Sequence, residues 1–352
     1  MHVLSVVGAR PQFVKAFPVS RALRRTHDET MVHTGQHYDE ELNDVFFEEL
    51  DLPVPDHHLG VGSDTHAVQT GAMMRGLDEL FDDLDPDAVL VYGDTNSTLA
   101  GALVAAKRDP LLAHVEAGLR SYDRSMPEEV NRVVTDHAAD VLYAPTDGAV
   151  ANLAAEGVED RTALVGDVMY DALLAVRDRA RERSAIPRGL ADGEYVLATV
   201  HRAGNTDDPD RLAAIVSALA DAPRPVVFPA HPRTVRALER IGLLAEARAE
   251  LELVDPVGYL DFLRLIMGAD RVVTDSGGVQ KEAFYLDTPC VTVRDETEWE
   301  ETVAAGWNVL VGADPDAIRR ALREQFDTAT KPDLYGDGTA ADRIVRHLAD
   351  AI

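Results

Sequence analysis

Short runs of continuous apolar residues, each broken off by Gly, Pro, Asp or Thr, recur along this chain with longer segments of helical period between them. In the first half the runs are Val3 to Val7, Ala88 to Tyr92, Leu111 to Val115, Val141 to Ala144 and Leu164 to Val165. The second half repeats the pattern at Tyr195 to Val200, Pro225 to Phe228, Leu251 to Val254, Arg271 to Thr274, Cys290 to Val293 and Asn308 to Val311. A strand that is apolar on both faces is covered on both faces, and that is the situation of a parallel sheet between two helix layers. The pattern therefore predicts an α/β protein of doubly wound, Rossmann-like domains. With 352 residues, two such domains fit the usual size of about 150 residues each. The charged stretch around Arg177 to Gly193, with Pro187 and its glycines, reads as the boundary. Residues 1–180 are the expected N-terminal domain, 181–335 the C-terminal domain, and 336–352 a final helix packing back on the first.

Composition narrows the partners. Apolar residues make up 46% and charged residues 27%, a globular balance, but the formal net charge is −28. A surface this acidic repels nucleic acid and anionic membrane. The acids are 39 Asp and 23 Glu; the cations are 30 Arg and four Lys, namely Lys15, Lys107, Lys281 and Lys331. Such a surface keeps its solubility in strong brine, where self-repulsion is screened, and suggests a salt-loving host. The single cysteine, Cys290, lies in an apolar run, is expected in the core, and excludes an intramolecular disulfide framework. The short apolar start lacks a signal-peptide pattern, and no apolar run approaches the length of a membrane span, so a soluble cytoplasmic protein is expected.

Polar residues with chemical potential gather where the apolar runs end. Gly8-Ala-Arg10-Pro-Gln-Phe-Val-Lys15 follows the first run and places two cations at a helix start, an arrangement suited to an anion. Gly93-Asp94-Thr-Asn-Ser-Thr98 follows the Ala88 run and reads equally as a helix cap. His114-Val-Glu116-Ala-Gly118-Leu-Arg120 puts a carboxylate at a strand end, where an acid or base is better placed than on a helix surface. Pro127-Glu128-Glu129-Val-Asn131-Arg132 reads as a helix start with another acid for the same region. In the second half, His201-Arg202 and His231-Pro-Arg233 end strands, and Thr274-Asp-Ser276-Gly277-Gly278-Val-Gln-Lys-Glu282 combines strand, glycine turn and helix start. First-turn amides have no intrahelical acceptor, and glycines let a phosphate approach them. Arg294-Asp-Glu-Thr-Glu298-Trp299 follows the next strand. His57, His58 and His66 have no carboxylate or thiolate partners at metal-ligand spacing.

Gly8-x-Arg-Pro with Lys15, Thr34-Gly-Gln-His37, Gly93-Asp-Thr, His114-Val-Glu-Ala-Gly-Leu-Arg, Pro127-Glu-Glu-x-Asn-Arg, His201-Arg, His231-Pro-Arg and Thr274-Asp-Ser-Gly-Gly-Val-Gln-x-Glu282 occur in this order. Together they resemble the non-hydrolysing UDP-N-acetylglucosamine 2-epimerases over nearly the whole chain. The resemblance implies a glycosyltransferase-B type fold, a homodimer, and a nucleotide sugar bound in the cleft between the domains. It places UDP near Arg10, Lys15, His201, Phe262, Ser276, Gly277, Gly278 and Glu282, with Arg132 and Arg294 also on the substrate. It makes Asp94, Glu116, Glu128 and His201 catalytic, and it requires no metal, nicotinamide or flavin. The chain has Gln12 where the family commonly has Glu, Gly204 before Asn205, and Trp299 where many bacterial members carry Arg. The Arg294 to Trp299 region and Gly35-Gln-His-Tyr38-Asp39 resemble a branch that includes archaeal members and also epimerases of UDP-2,3-diacetamido-glucuronate. A UDP-sugar glycosyltransferase of the same architecture is the alternative in another class.

Overall fold

A computed structural model describes residues 1–36, 54–187, 189–326, 328 and 330–352, with the backbone alone at Arg10. The chain divides into two compact units, Met1–Ala175 with Asp333–Ile352, and Val176–Pro332. Unit 1 is built on a parallel sheet in the order β3-β2-β1-β4-β5-β6-β7. Its strands are β1 (His2–Val7), β2 (Asp28–His33), β3 (His57–His58), β4 (Ala88–Tyr92), β5 (Leu111–Val115), β6 (Val141–Ala144) and β7 (Thr162–Leu164). Unit 2 repeats the plan as β10-β9-β8-β11-β12-β13. Those strands are β8 (Val196–Thr199), β9 (Val226–Pro229), β10 (Glu252–Val254), β11 (Arg271–Thr274), β12 (Cys290–Thr292) and β13 (Asn308–Leu310).

The apolar runs become central strands because both their faces are covered. Every residue of β4 is buried, and so is every residue of β6 and β9. Leu4, Val6, Val89 and Val91 pack with Met73, Leu77 and Phe81 of the helix His66–Leu84 in unit 1. Val196, Ala198 and Phe228 pack with Leu212, Ile215 and Leu238 in unit 2. Cys290 is a core residue, and burial pushes its thiol up to about 12. Among the described residues no helix is long and apolar enough to cross a membrane.

Two differences from the sequence reading have physical causes. Strand β2 is absent from the apolar runs because it starts Asp28-Glu29-Thr30. Glu29 is nevertheless inside, its carboxylate accepting hydrogen bonds from Ser5 Oγ at 2.6 Å and Arg24 Nε at 2.7 Å. A buried carboxylate with such donors is tolerated in a strand that hydropathy alone reads as loop. The charged stretch taken as a boundary is also partly regular. The helix Val168–Arg183 runs through it, and the division of the two units falls within that helix.

The final helix, Ala340–Ala351, belongs to unit 1, where Arg25 pairs with Asp342 and Ile344 and Leu348 are buried. Its first turn is held by Asp171, which accepts the Ala341 N–H at 2.7 Å. Burial raises the Asp171 carboxyl from 3.8 to about 6, more than the backbone hydrogen bonds lower it. Between these values the folded chain binds more protons than the unfolded one, so stability falls as pH rises. Urea melts from pH 4 to pH 7 are expected to show this falling contribution, and Asp171→Asn, which keeps the acceptor, removes it. An unchanged pH dependence in Asp171→Asn contradicts the assignment.

Candidate active site

Strand order reverses between β1 and β4 in unit 1 and between β8 and β11 in unit 2. At such a reversal the loops leaving the two neighbouring strands diverge, and open α/β sheets bind ligands there. Gly8 to Lys15 and Gly93 to Thr98 sit on these loops in unit 1, and His201-Arg202 and Ser276 to Gly278 in unit 2; the other motifs follow neighbouring strands or, as at Pro127 to Arg132, start a helix.

In unit 1, Gly8 leaves β1 into the helix Arg10–Leu23. A Cβ on Gly8 would stand 2.0 Å from Thr34 Oγ1 and 2.2 Å from Ser97 Oγ, so only glycine fits. The Gln12 side-chain oxygen accepts the Gly8 and Ala9 N–H groups at 2.8 and 3.1 Å. Its amide nitrogen donates to the Tyr92 carbonyl at 3.0 Å and to Thr98 Oγ1 at 3.1 Å. One neutral amide thus ties the ends of β1 and β4 together, a task that needs both an acceptor and a donor. Arg10 begins the helix. Lys15, one turn further, is buried and its Nζ donates to Glu116, which stands just past β5. Glu116 has backbone φ of 71°.

Asp94 lies in the turn after β4 and is not the helix cap; Thr95 is, its Oγ1 accepting from the Thr98 N–H. That leaves the Asp94 carboxylate to pair with Arg132, which also lies 3.2 Å from Glu129. The helix Pro127–Ala138 presents the two neighbouring acids differently. Glu128 is exposed, whereas Glu129 is buried and accepts from the Ser121 N–H, Ser121 Oγ and the Tyr122 N–H at 2.9 to 3.0 Å. Asn131 donates to the Asp94 carbonyl at 3.0 Å. The structure therefore brings together Lys15 with Glu116 and Asp94 with Arg132. Thr34, Gly35 and Gln36 are described, with Gln36 accepting from the Ser97 N–H at 2.9 Å. His37, Tyr38 and Asp39 lie outside the described residues. His33 is lowered to about 4 by burial and by His58, and its Nδ1 accepts the Gly35 N–H at 2.8 Å.

In unit 2, Asp275 is wholly buried at the end of β11. It accepts the His201 N–H at 3.1 Å, the Arg202 N–H at 3.0 Å and Asn205 Nδ2 at 3.1 Å. Its carboxylate also lies 3.5 Å from His201 Nδ1. The His201 ring is partly exposed, 6.2 Å from that of His231. His231 caps the helix Pro232–Arg240, accepting the Arg233 N–H, and is lowered by burial first and then by neighbouring cationic groups.

Ser276 caps the helix Gly277–Tyr285, and Ser276-Gly277-Gly278 form the glycine turn at its start, the expected phosphate cradle. A Cβ on Gly277 would come within 3.4 to 3.7 Å of Trp299, Glu298 and Arg202, which outline the space beside the cradle. Arg294 donates two hydrogen bonds to Glu298 at 2.8 and 3.0 Å. Burial raises the Glu298 carboxyl, but Arg294 and Arg202 outweigh this and hold it below its ordinary value. Glu282 is buried one turn into the cradle helix, and Phe262 is half-buried on the helix Tyr259–Gly268. The Lys281 ammonium lies 4.1 Å from the Trp299 ring centre.

Glu129 and Asp275 stand inside quoted motifs without an assigned role, and Asp136, which accepts the Gly118 N–H at 3.1 Å, stands outside them, because a buried carboxylate bound to backbone amides has no sequence mark of its own. Among the described residues no group of three His, Cys, Asp or Glu is arranged for a metal. His58 stacks on His33, and His66 pairs with Asn96.

The profile of the UDP-N-acetylglucosamine 2-epimerase family matches residues 21–349. The chain belongs to this family. A UDP-N-acetylglucosamine 2-epimerase homolog of Methanococcus maripaludis is 46% identical over 355 residues, covering 99% of both chains. The UDP-2,3-diacetamido-2,3-dideoxy-D-glucuronate 2-epimerase of Pseudomonas aeruginosa is 48% identical over 360 residues, again covering 99% of both. The crystal structure of the Methanocaldococcus jannaschii UDP-GlcNAc 2-epimerase in complex with UDP-GlcNAc and UDP superposes with a TM-score of 0.86 at 41% identity, covering 99% of this chain and 100% of that one. The epimerase fold, two parallel-sheet α/β units, is of the glycosyltransferase-B type.

The buried Lys15–Glu116 pair carries a stability prediction. Removing one member of a buried ion pair costs up to about 3–5 kcal/mol, whereas removing both charges is far milder. Lys15→Met is expected to lose that much in urea unfolding, and Lys15→Met with Glu116→Gln to recover most of it. Equal losses in both variants contradict a buried pair.

Proposed function

We propose that the protein interconverts the C2 epimers of a UDP-2-acetamido sugar, UDP-N-acetylglucosamine and UDP-N-acetylmannosamine, without hydrolysis. The observation that carries this reading is the charge-paired carboxylates Glu116 and Asp94 at the strand ends of unit 1, in a chain of this family whose unit 2 bears the Ser276-Gly277-Gly278 cradle.

The C2 hydrogen of such a sugar is not beside a carbonyl and is too weakly acidic for direct removal. Departure of UDP makes C1 electron-poor and acidifies it. The C1–O bond breaks with its electron pair leaving on the diphosphate, a carboxylate takes the C2 proton, and the C2–H electron pair becomes the C1–C2 double bond of a 2-acetamidoglucal. In the return step a proton enters C2 from the opposite face and the UDP oxygen re-forms the bond to C1, so nothing is consumed. Two faces need two proton-handling groups, and Glu116, Asp94 and Glu128 share these roles. Departing UDP gathers negative charge, which Arg10, Lys15, His201 and the Ser276–Gly278 amides stabilise, with Arg132 and Arg294 on the substrate. Phe262 and Glu282 hold the uridine end. The same reading gives a cytoplasmic homodimer that uses no cofactor and binds neither nucleic acid nor membrane.

A second reading, epimerisation of UDP-2,3-diacetamido-glucuronate, is supported by the 48% identity to the Pseudomonas aeruginosa enzyme. Proton NMR with each UDP sugar in deuterated water decides between them. The expected result is loss of the C2 proton signal and growth of the C2 epimer with one of the two, without an acceptor. No deuterium at C2 with either overturns the epimerase reading, and transfer only in the presence of an acceptor supports the glycosyltransferase. Glu116→Gln is expected to lower turnover by about 10²–10⁴-fold while leaving UDP affinity in place.

A further inference from the structure

Just past β4 and β5, Gly93 at φ 62°, Glu116 at 71° and Gly118 at 83° stand in left-handed backbone. Glycine adopts this region freely, but a residue such as Glu is strained in it, and surrounding structure must hold it there. The Glu116 and Ala117 N–H groups share the Tyr143 carbonyl at 3.1 and 3.0 Å. The flanking glycines are held by two side chains with no solvent exposure, His114 on β5 and Asp136 on the helix Pro127–Ala138. His114 Nε2 lies 2.7 Å from the Gly93 carbonyl oxygen, and its Nδ1 lies 2.7 Å from Asp136 Oδ1. Asp136 Oδ2 accepts the Gly118 N–H at 3.1 Å and meets Arg120 at 2.7 Å.

These contacts constrain the protons on His114. A backbone carbonyl can only accept, so Nε2 carries a hydrogen. An ionised carboxylate can only accept as well. Burial raises the Asp136 carboxyl, but the hydrogen bond from His114 and the charges of His114 and Arg120 outweigh it and hold it below its ordinary value. The Arg120 guanidinium and the Gly118 amide on Oδ2 favour the ionised form independently of His114. Nδ1 is therefore also a donor. Arg120 also donates two hydrogen bonds of 2.7 Å to Glu156, whose carboxylate lies 3.2 Å from His137 Nε2 as well.

We infer that His114 is a buried imidazolium, and that the His114–Asp136 pair is a positioning device that clamps Gly93 and Gly118 and so aims the Glu116 carboxylate. Neither residue needs to touch substrate. Asp136 reaches one flank of the turn and, through His114, the other.

The protonation part is independent of the epimerase reading; the kinetic part rests on it. In full-length protein with ¹⁵N-labelled histidine at neutral pH, the His114 ring, assigned by its loss in His114→Gln, is expected to show hydrogens on both nitrogens. One protonated and one bare nitrogen overturns the inference. Asp136→Asn weakens the clamp and is expected to lower kcat about 10–100-fold with KM nearly unchanged, as displacement of a reacting group does. In a Glu116→Gln background the same change is expected to add no further loss, because the pair acts through Glu116. Independent, additive losses, or an unchanged kcat in Asp136→Asn, overturn the positioning role. Should Asp136→Asn fail to fold, the nitrogen spectrum of the unsubstituted protein still decides the protonation state on which the clamp depends. Absence of C2 exchange in the unsubstituted protein defeats the epimerase reading and leaves that spectrum standing.

Discussion

A parallel sheet wound outward from a central strand has one place where successive crossovers part, and no loop closes it. Crossovers carry the chain from β1 to β2 and β3 on one side, then bring it back to β4 on the other, so the loops after β1 and β4 leave in opposite directions. Unit 2 repeats the reversal at β8 and β11. Gly8 to Lys15, Gly93-Asp94 and Glu116 in unit 1, and His201-Arg202 and Ser276 to Gly278 in unit 2, lie on or next to these loops because of that winding. Gln12 bridges the β1 and β4 ends with one amide, and Asp275 joins the β8 and β11 ends with one carboxylate. The two units use different groups to meet the same requirement, which is to hold diverging backbones near each other while leaving space between them.

Charge is handled in opposite ways outside and inside. The surface carries most of the 62 acids, and exposed pairs such as Arg108 with Asp78 and Asp82 contribute little each in water. Three of the four lysines are placed against specific partners. Lys15 meets Glu116, Lys281 stands against Trp299, and Lys331 donates to Asp287 at 2.6 Å while lying 4.8 Å from the Phe284 ring centre. A compact ammonium suits a point contact with one carboxylate or one ring face better than the planar arginine fork does. Lysine scarcity in this chain therefore coincides with lysine placement against specific partners. The deeply negative net charge describes the outer shell and leaves local cations at the strand ends.

Legibility in the sequence followed burial. Central strands such as β4, β5 and β11 are visible as apolar runs because both faces are covered, and their bounds agree with the runs Ala88 to Tyr92, Leu111 to Val115 and Arg271 to Thr274. Strand β2 is hidden because Glu29 is solvated by Ser5 and Arg24 inside the fold, and those partners are distant in sequence or ordinary in type. At the strand ends, Lys15, Asp94, Glu116 and Arg132 are legible as residue types at suggestive places, but their pairing is not. Asp94 reads as a helix cap until Thr95 is seen to occupy that role. Glu128 and Glu129 are adjacent acids in one motif, and only the helix phase separates the exposed one from the one that binds the Ser121 and Tyr122 amides.

The sequence by itself determined the class of fold, the family and the set of groups available for chemistry. Those depend on local pattern: hydrophobic period, glycine at turns and polar residues just past strands. Only the tertiary structure decided which charges meet, because hydrogen bonds and ion pairs form between elements far apart along the chain. Lys15 finds Glu116 one hundred and one residues away, and His114 finds both Asp136 and the Gly93 carbonyl at 2.7 Å. Such contacts need distances of a few ångströms set by sheet order and helix packing, and no spacing in the linear chain encodes them.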